Sequence, residues 1–294
     1  MVTASLVLSA CGGSGSGASS STSSAPTRPT TSSSPTVTQA GTVAASPSSG
    51  CGKAATPGTV TLNPVVDGRS RTAILHVPTG YNPGTPVALV VNMHGSQSTA
   101  REQVGFTGMD ATADKDTFMV VYPQGDIAAG TGYEWNVPGQ PLVGGKAVPS
   151  TAPNDVSFIE QLVNILGQEY CIDRNRVFAT GFSGGARMAS QLGCDASAVF
   201  AAVAPVSGLR FPSPCASTRP MPVLSFHGTA DPVDPYNGNG QAYWTYSVPV
   251  AAERWAAHNQ CGPGRVTSHP AEGVTLSTYG GCAGGATVQL YTIT

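Results

Sequence analysis

Charge is scarce in this chain. Lys and Arg number 14 and Asp and Glu 16, together 10 % of 294 residues, where a quarter is usual. The net charge is −2 and no stretch gathers basic residues, so the electrostatic footprint of a nucleic-acid binder is missing. Long hydrophobic runs are lacking too. The longest near the N-terminus is Leu6-Val7-Leu8, far below the roughly 20 residues of a membrane-spanning helix. No two cysteines stand in C-x-x-C spacing, so no zinc or thioredoxin signature is present, and the sequence implies neither metal nor cofactor. An internal repeat is also absent. What abounds is Gly, with 36 residues, and Pro, with 24.

The few charges are unevenly placed, for residues 1–50 hold only Arg28. Residues 1–10 read as the apolar end of a secretory signal and run into Leu8-Ser9-Ala10-Cys11. That tetrapeptide resembles the lipobox of bacterial lipoproteins, in which the Cys thiolate takes a diacylglycerol. Cys11 is therefore the expected lipid site, and the membrane is expected as a partner only through that anchor. Residues 12–50 are Gly, Ser, Thr, Pro and Ala with few large apolar side chains. Such a run cannot bury enough surface to offset its ordering entropy and reads as a tether. No basic residue precedes the apolar run, so residues 1–11 read as the end of a longer leader. The remaining 51–294 is long enough for one large domain. It carries Cys51, Cys171, Cys194, Cys215, Cys261 and Cys282, an even set suited to disulfides in an exported protein. Six cysteines allow 15 pairings, and the sequence alone does not choose among them; the first expectation is Cys261 with Cys282, which would close a short loop between two late elements.

Residues 59–66 and 71–77 read as strands joined through Asp67-Gly68, a hairpin signal. Residues 87–93 and 118–122 are nearly continuous apolar runs, the pattern of strands in the middle of a parallel sheet. Residues 109–115 read as helix. Val156, Ile159, Leu162, Val163 and Leu166 share a helical face, with Asn154 or Asp155 placed to cap it. Strands are expected over 176–180, 201–206 and 223–226, and helices over 184–192 and 250–258. Alternating strand and helix implies an α/β architecture, a mainly parallel sheet with helices on both faces.

Gly181-Phe182-Ser183-Gly184-Gly185 fits G-x-S-x-G, with a strand entering and a helix leaving. A Ser on that turn sits in a strained conformation that needs small neighbours, and the helix N-terminus favours developing negative charge. Ser183 is the expected nucleophile. An acid should follow it at the end of a later strand, and Asp231 in His227-Gly228-Thr229-Ala230-Asp231 is so placed, with Asp234 the rival carboxylate. His227 reads as a packed residue that shapes this loop. The oxyanion hole needs two backbone N–H groups, expected from Gly184 and from the loop His94-Gly95-Ser96-Gln97, at Ser96. His94 reads as support. Trp135, in a Gly-rich stretch, is expected to line a substrate pocket.

At these residues the likeness becomes specific. Residues 176–189, the acid loop 227–236, Asn92-Met93-His94-Gly95-Ser96, Tyr122-Pro123-Gln124-Gly125 and Asp155-Val156-Ser157-Phe158-Ile159 resemble the secreted polyhydroxybutyrate depolymerase and feruloyl esterase family. These are α/β-hydrolase serine esterases, similar to carbohydrate esterase family 1, here in a bacterial lipoprotein form. Gly50-Cys51-Gly52-Lys53, Cys261 and Cys282 are similar to its cysteine-bearing feruloyl esterase branch. The likeness spans Cys51 to Thr294. It implies hydrolysis of carboxylic esters, in polymers or small molecules, through an acyl-enzyme, by a chain expected to be monomeric. In that family the catalytic His follows a strand like residues 288–293. The histidines here are His76, His94, His227, His258 and His269, and none follows that strand. His258 and His269 read as surface or packing residues. The domain 51–294 is therefore expected to stop short of its base, leaving an impaired enzyme. The alternative is a non-catalytic cell-surface binding protein that keeps the hydrolase fold.

Overall fold

A computed structural model describes residues 44–238 and 242–294. The signal reading, Cys11 and most of the tether lie outside the described residues.

The expected opening hairpin is built in two pieces: β1 (Gly58–Leu62), β2 (Val65–Val66), β3 (Arg69–Ser70) and β4 (Ala73–Val77). β1 pairs antiparallel with β4, and β2 with β3. Asp67 and Gly68 turn the small hairpin with φ of 50° and 75°, the left-handed pair that a two-residue hairpin loop requires. Pro64 cannot donate to a ladder, and Arg71 is drawn out of it. Its guanidinium lies buried 2.6 Å from the carboxylate of Asp155.

β5 (Val87–Met93), α1 (Ala100–Thr107), α2 (Met109–Asp116) and β6 (Met119–Pro123) follow. After the short hairpin β7 (Ile127–Ala129) and β8 (Gly132–Glu134) come α3 (Asp155–Glu169), β9 (Ile172–Phe182), α4 (Gly184–Asp195), β10 (Ala202–Val206) and β11 (Val223–Gly228). The chain closes with α5 (Val248–His258), β12 (Val266–Ala271), β13 (Val274–Tyr279) and β14 (Val288–Ile293). The large sheet runs β1-β4-β6-β5-β9-β10-β11-β14-β13-β12. Its six middle strands, β6 to β14 in that order, are parallel, and antiparallel strands extend both edges. The mainly parallel α/β sheet expected from the sequence is therefore present.

Alternation along the strands places helices on both faces. In β6, Val120 and Tyr122 join a small cluster with Ala100 of α1 and Ala113 of α2, whereas Met119 and Val121 join the main core with α3, α4 and α5. Successive strand side chains point to opposite faces, so α1 and α2 cover one side. Asn154 caps α3, its side chain accepting from Ser157 N–H.

The last residues assigned to the tether are not free. Ser48 is buried and donates through Oγ to Tyr170 O, and Gly50 N–H donates to Gly167 O. These backbone groups find partners that the composition of 12–50 does not show. Cys51–Cys171, Cys194–Cys215 and Cys261–Cys282 are disulfides; the last is the pair anticipated.

Candidate functional site

β9 ends at Phe182 and α4 begins at Gly184, so Ser183 is the whole turn between strand and helix. Its φ of 52° and ψ of −113° lie outside the regions ordinary residues occupy, a strain of about 1–3 kcal/mol that the surroundings must hold. They do so by backbone bonds: Ser183 N–H donates to Val206 O at 3.0 Å, and Arg187 N–H to Ser183 O at 3.0 Å. Close packing does the rest. A Cβ on Gly181 would stand 2.7 Å from Met93 O, and one on Gly185 would stand 2.6 Å from His94 O. Only glycine lets α4 approach the end of β5 so closely.

The loop after β5 lies against this turn. A Cβ on Gly184 would stand 3.0 Å from Ser96 N, and one on Gly95 3.6 Å from Ser183 Cβ. Neither the Ser96 nor the Gly184 N–H donates to a protein acceptor among the described residues. Two amides without protein acceptors thus flank Ser183. His94 fixes the loop from below. Gly125 N–H donates to its Nε2 at 2.9 Å, so the proton sits on Nδ1, which donates to Gly95 O at 2.8 Å. Burial pushes the His94 ring down to about 4, which keeps it neutral. It supports the loop and is no base.

Trp135 is not in a pocket. It is 3 % exposed, packs on the His94 ring and donates Nε1–H to His94 O at 2.8 Å. The reading of Trp135 as a pocket wall is therefore corrected: its indole satisfies a buried carbonyl beneath the loop.

Asp231 follows β11, and one oxygen accepts N–H bonds from Val233 and Asp234, both at 2.9 Å. That leaves Oδ2, 3.5 Å from His227 Nε2. Asp231 and Ser183 line one cleft of about 510 Å³, with Phe182, Ile293 and Thr294 among its walls. Asp234 borders it too, but is almost wholly buried, and burial raises its carboxyl to about 6. His227 is packed as read, stacked on Trp244 with Nε2 2.8 Å from Asp234 O. None of the five histidines lines the cleft. His76 sits between Asp110 and Asp114, His258 against Phe211 and Trp255, and His269 beside Thr275.

Two residues were missed by sequence reasoning. Arg187, one turn into α4, donates Nη2–H to Ser96 Oγ at 3.2 Å and lies over the Tyr243 ring. A charged residue on the buried face of a helix was the available signal. Phe106 of α1 is 66 % exposed and packs against Phe182 at a tilt of 50°, the ring centres 5.1 Å apart. Both phenylalanines line a second cavity of about 240 Å³ with Gly95, Ser96 and Ser183.

The strand order and the tight strand-to-helix turn define an α/β-hydrolase. The Esterase PHB depolymerase family matches residues 72–243, more than half of the chain, and the chain belongs to that family. It is 30 % identical to feruloyl esterase D of Neurospora crassa over 265 residues, 83 % of this chain and 80 % of that one. With feruloyl esterase B of Piromyces equi it shares 28 % identity over 242 residues, 76 % of this chain and 41 % of that one. The chain spans half the length or less of several curated relatives it matches. Among solved structures, acetyl xylan esterase from Aspergillus awamori superimposes with a TM-score of 0.59 at 17 % identity, covering 80 % of this chain and 92 % of that one. That likeness establishes the fold.

Proposed function

We propose that the chain is an exported serine esterase that hydrolyses carboxylic esters carried on polymers, through an acyl-enzyme on Ser183. The observation that carries this is the shared cleft: Ser183 on its strained turn, Asp231 opposite, and the Ser96 and Gly184 amides alongside. Ser183 Oγ attacks the ester carbonyl carbon. The oxyanion that forms is held by the two N–H groups, where preorganised donors are worth most. The alcohol leaves with the Ser183 proton, and water then releases the acid from the acyl-enzyme. The base is an imidazole oriented by Asp231 Oδ2. Without that imidazole, turnover rests on the amides and binding only.

The Phe106–Phe182 pair favours a flat acyl group, such as a phenolic acid, beside Ser183. Relatives that carry the name feruloyl esterase support the same class. Three disulfides support an oxidising, extracellular setting, with Cys11 as the proposed lipid anchor and the residues before Ser48 as its tether. Methyl ferulate, acetylated xylan and polyhydroxybutyrate, offered to the protein, test the substrate class. A fluorophosphonate should label Ser183, and Ser183→Ala should abolish labelling and hydrolysis together. Labelling that persists in Ser183→Ala sinks the proposal.

A further inference from the structure

A further cavity, of about 340 Å³ and distinct from the Phe106–Phe182 one, lies beyond the loop that follows β10. Ser207 lines the Ser183 cleft, and Arg210 and Phe211 line this other cavity. Ser207 and Arg210 are three residues apart, so the chain between them spans at most about 11 Å. The opposite wall is tied to the acid loop, since Trp244 Nε1–H donates to Pro235 O at 2.8 Å.

Arg210 is the unusual member. It is 7 % exposed, and none of the salt bridges includes it. Every Asp and Glu of the chain lies among the described residues, so no carboxylate of the protein pairs with this guanidinium. It donates to Gln191 Oε1 at 3.1 Å, and Gln191 in turn donates to Asp195; the Tyr246 hydroxyl is its other side-chain neighbour. The residue is nonetheless held rigidly: its N–H donates to Ser190 Oγ, and its carbonyl accepts from Trp255 Nε1 at 2.7 Å. Arg254, exposed and likewise without a carboxylate, lies over the Tyr246 ring in the same wall. A buried cation with no carboxylate in direct contact is costly to a fold. Here it borders a cavity with a second guanidinium and the rings of Tyr243, Trp244 and Tyr246.

We propose that this cavity binds a ring-borne carboxylate, Arg210 and Arg254 taking the anion and the aromatic side chains taking the face of the ring. Guanidinium forks match a carboxylate in two hydrogen bonds, and flat rings offer apolar area to the face of a sugar or an arene. Two sources share this chemistry: the uronate unit of a polysaccharide, and the free aromatic acid that hydrolysis would release. Placing the site on the polymer path rests on the ester-hydrolase reading, whereas binding of the carboxylate does not.

The test is titration of the native 294-residue chain at low salt with D-glucuronate, with ferulate and with neutral xylobiose. Heat and the Trp244 indole resonance are followed. Glucuronate or ferulate should bind and shift that resonance while xylobiose does not. Arg254→Gln, an exposed change, should weaken binding by about tenfold, the loss of one charge-assisted pair. Arg210→Gln should weaken it at least as much; should that variant not fold, Arg254→Gln alone decides. Tighter binding of glucuronate points to the glycan, and tighter binding of ferulate to the released acid. Binding that both variants retain in full, xylobiose binding as well as glucuronate, or no binding of either acid overturns the proposal. Because no turnover is read, failure of the serine mechanism would leave this result untouched.

Discussion

The indole of Trp135 donates to the carbonyl of His94 at 2.8 Å while its ring packs on the His94 imidazole at 4.8 Å. One residue thus holds both the backbone and the side chain beneath the loop that presents Ser96. The arrangement fixes the charge of His94. Its ring is neutral with the proton on Nδ1, and its value of about 4 against the ordinary 6.5 comes first from burial. The unfolded chain therefore binds more protons between those values, and stability from this ring is present above pH 6.5 and lost as pH falls towards 4. The gap is worth roughly 3 kcal/mol. A ring-carbon NMR titration should show His94 unprotonated at pH 5; a midpoint near 6.5 would refute the account. Trp135→Phe should cost about 1–3 kcal/mol in urea denaturation, since it strands a buried carbonyl.

Asp231 and Asp234 stand three residues apart with opposite environments. Two backbone amides hold Asp231 at the edge of the cleft, whereas Asp234 is buried and raised to about 6. For the proposed serine mechanism, Asp231→Asn should lower kcat by about 10⁴-fold, and Asp234→Asn by tenfold at most. Equal losses would contradict the assignment of the acid. Asp234 also has a pH signature of the opposite sign to that of His94. The folded state binds the extra proton between 3.8 and about 6, so stability falls as pH rises through that window. Asp234→Asn removes the slope. Relative to wild type it should gain up to roughly 3 kcal/mol between pH 4 and pH 7.

The disulfides differ in what they close. Cys51–Cys171 spans 120 residues, while the other two span 21 each. Loop-closure entropy assigns roughly 5 kcal/mol to the first and roughly 3 to each of the others. Cys51→Ala with Cys171→Ala should therefore lower the melting temperature more than either other double substitution. The reverse order would show that Cys194–Cys215, beside the Arg210 loop, governs stability.

Much of the sheet was legible because its middle strands are apolar on both faces, as in Val87–Met93 and Met119–Pro123. The elbow was legible because its glycines are demanded by the approach of α4 to Met93 and His94. Other parts were hidden for physical reasons. β9 starts at Ile172, four residues before the expected strand, because Asp173 binds Ser46 N–H, Asn175 N–H and Arg176; such polar residues carry little strand propensity. α1 was missed although Thr99 and Glu102 form a capping box, a signal the sequence did contain. Trp135 was misplaced because an indole serves a pocket wall and a buried carbonyl equally well, and only the position of His94 O decides between them.

Arg71 illustrates a last dependence, between the first strands and the helix α3. Its guanidinium lies 2.6 Å from Asp155 Oδ1 and 3.8 Å from the centre of the Phe158 ring, and also donates to Gln124 O. Asp155 Oδ2 accepts Asn136 N–H at 2.8 Å. Four segments distant in the chain thus meet at one buried ion pair. Replacing both partners together by apolar residues could be nearly neutral, because burying the charges offsets most of their attraction. Removing one alone leaves an uncompensated buried charge. Asp155→Ala and Arg71→Met should each cost about 3–5 kcal/mol. The double variant should cost less than the sum of the two, a coupling read from a urea double-mutant cycle. Simple additivity would mean that the pair contributes nothing beyond its separate contacts with Phe158, Gln124 and Asn136.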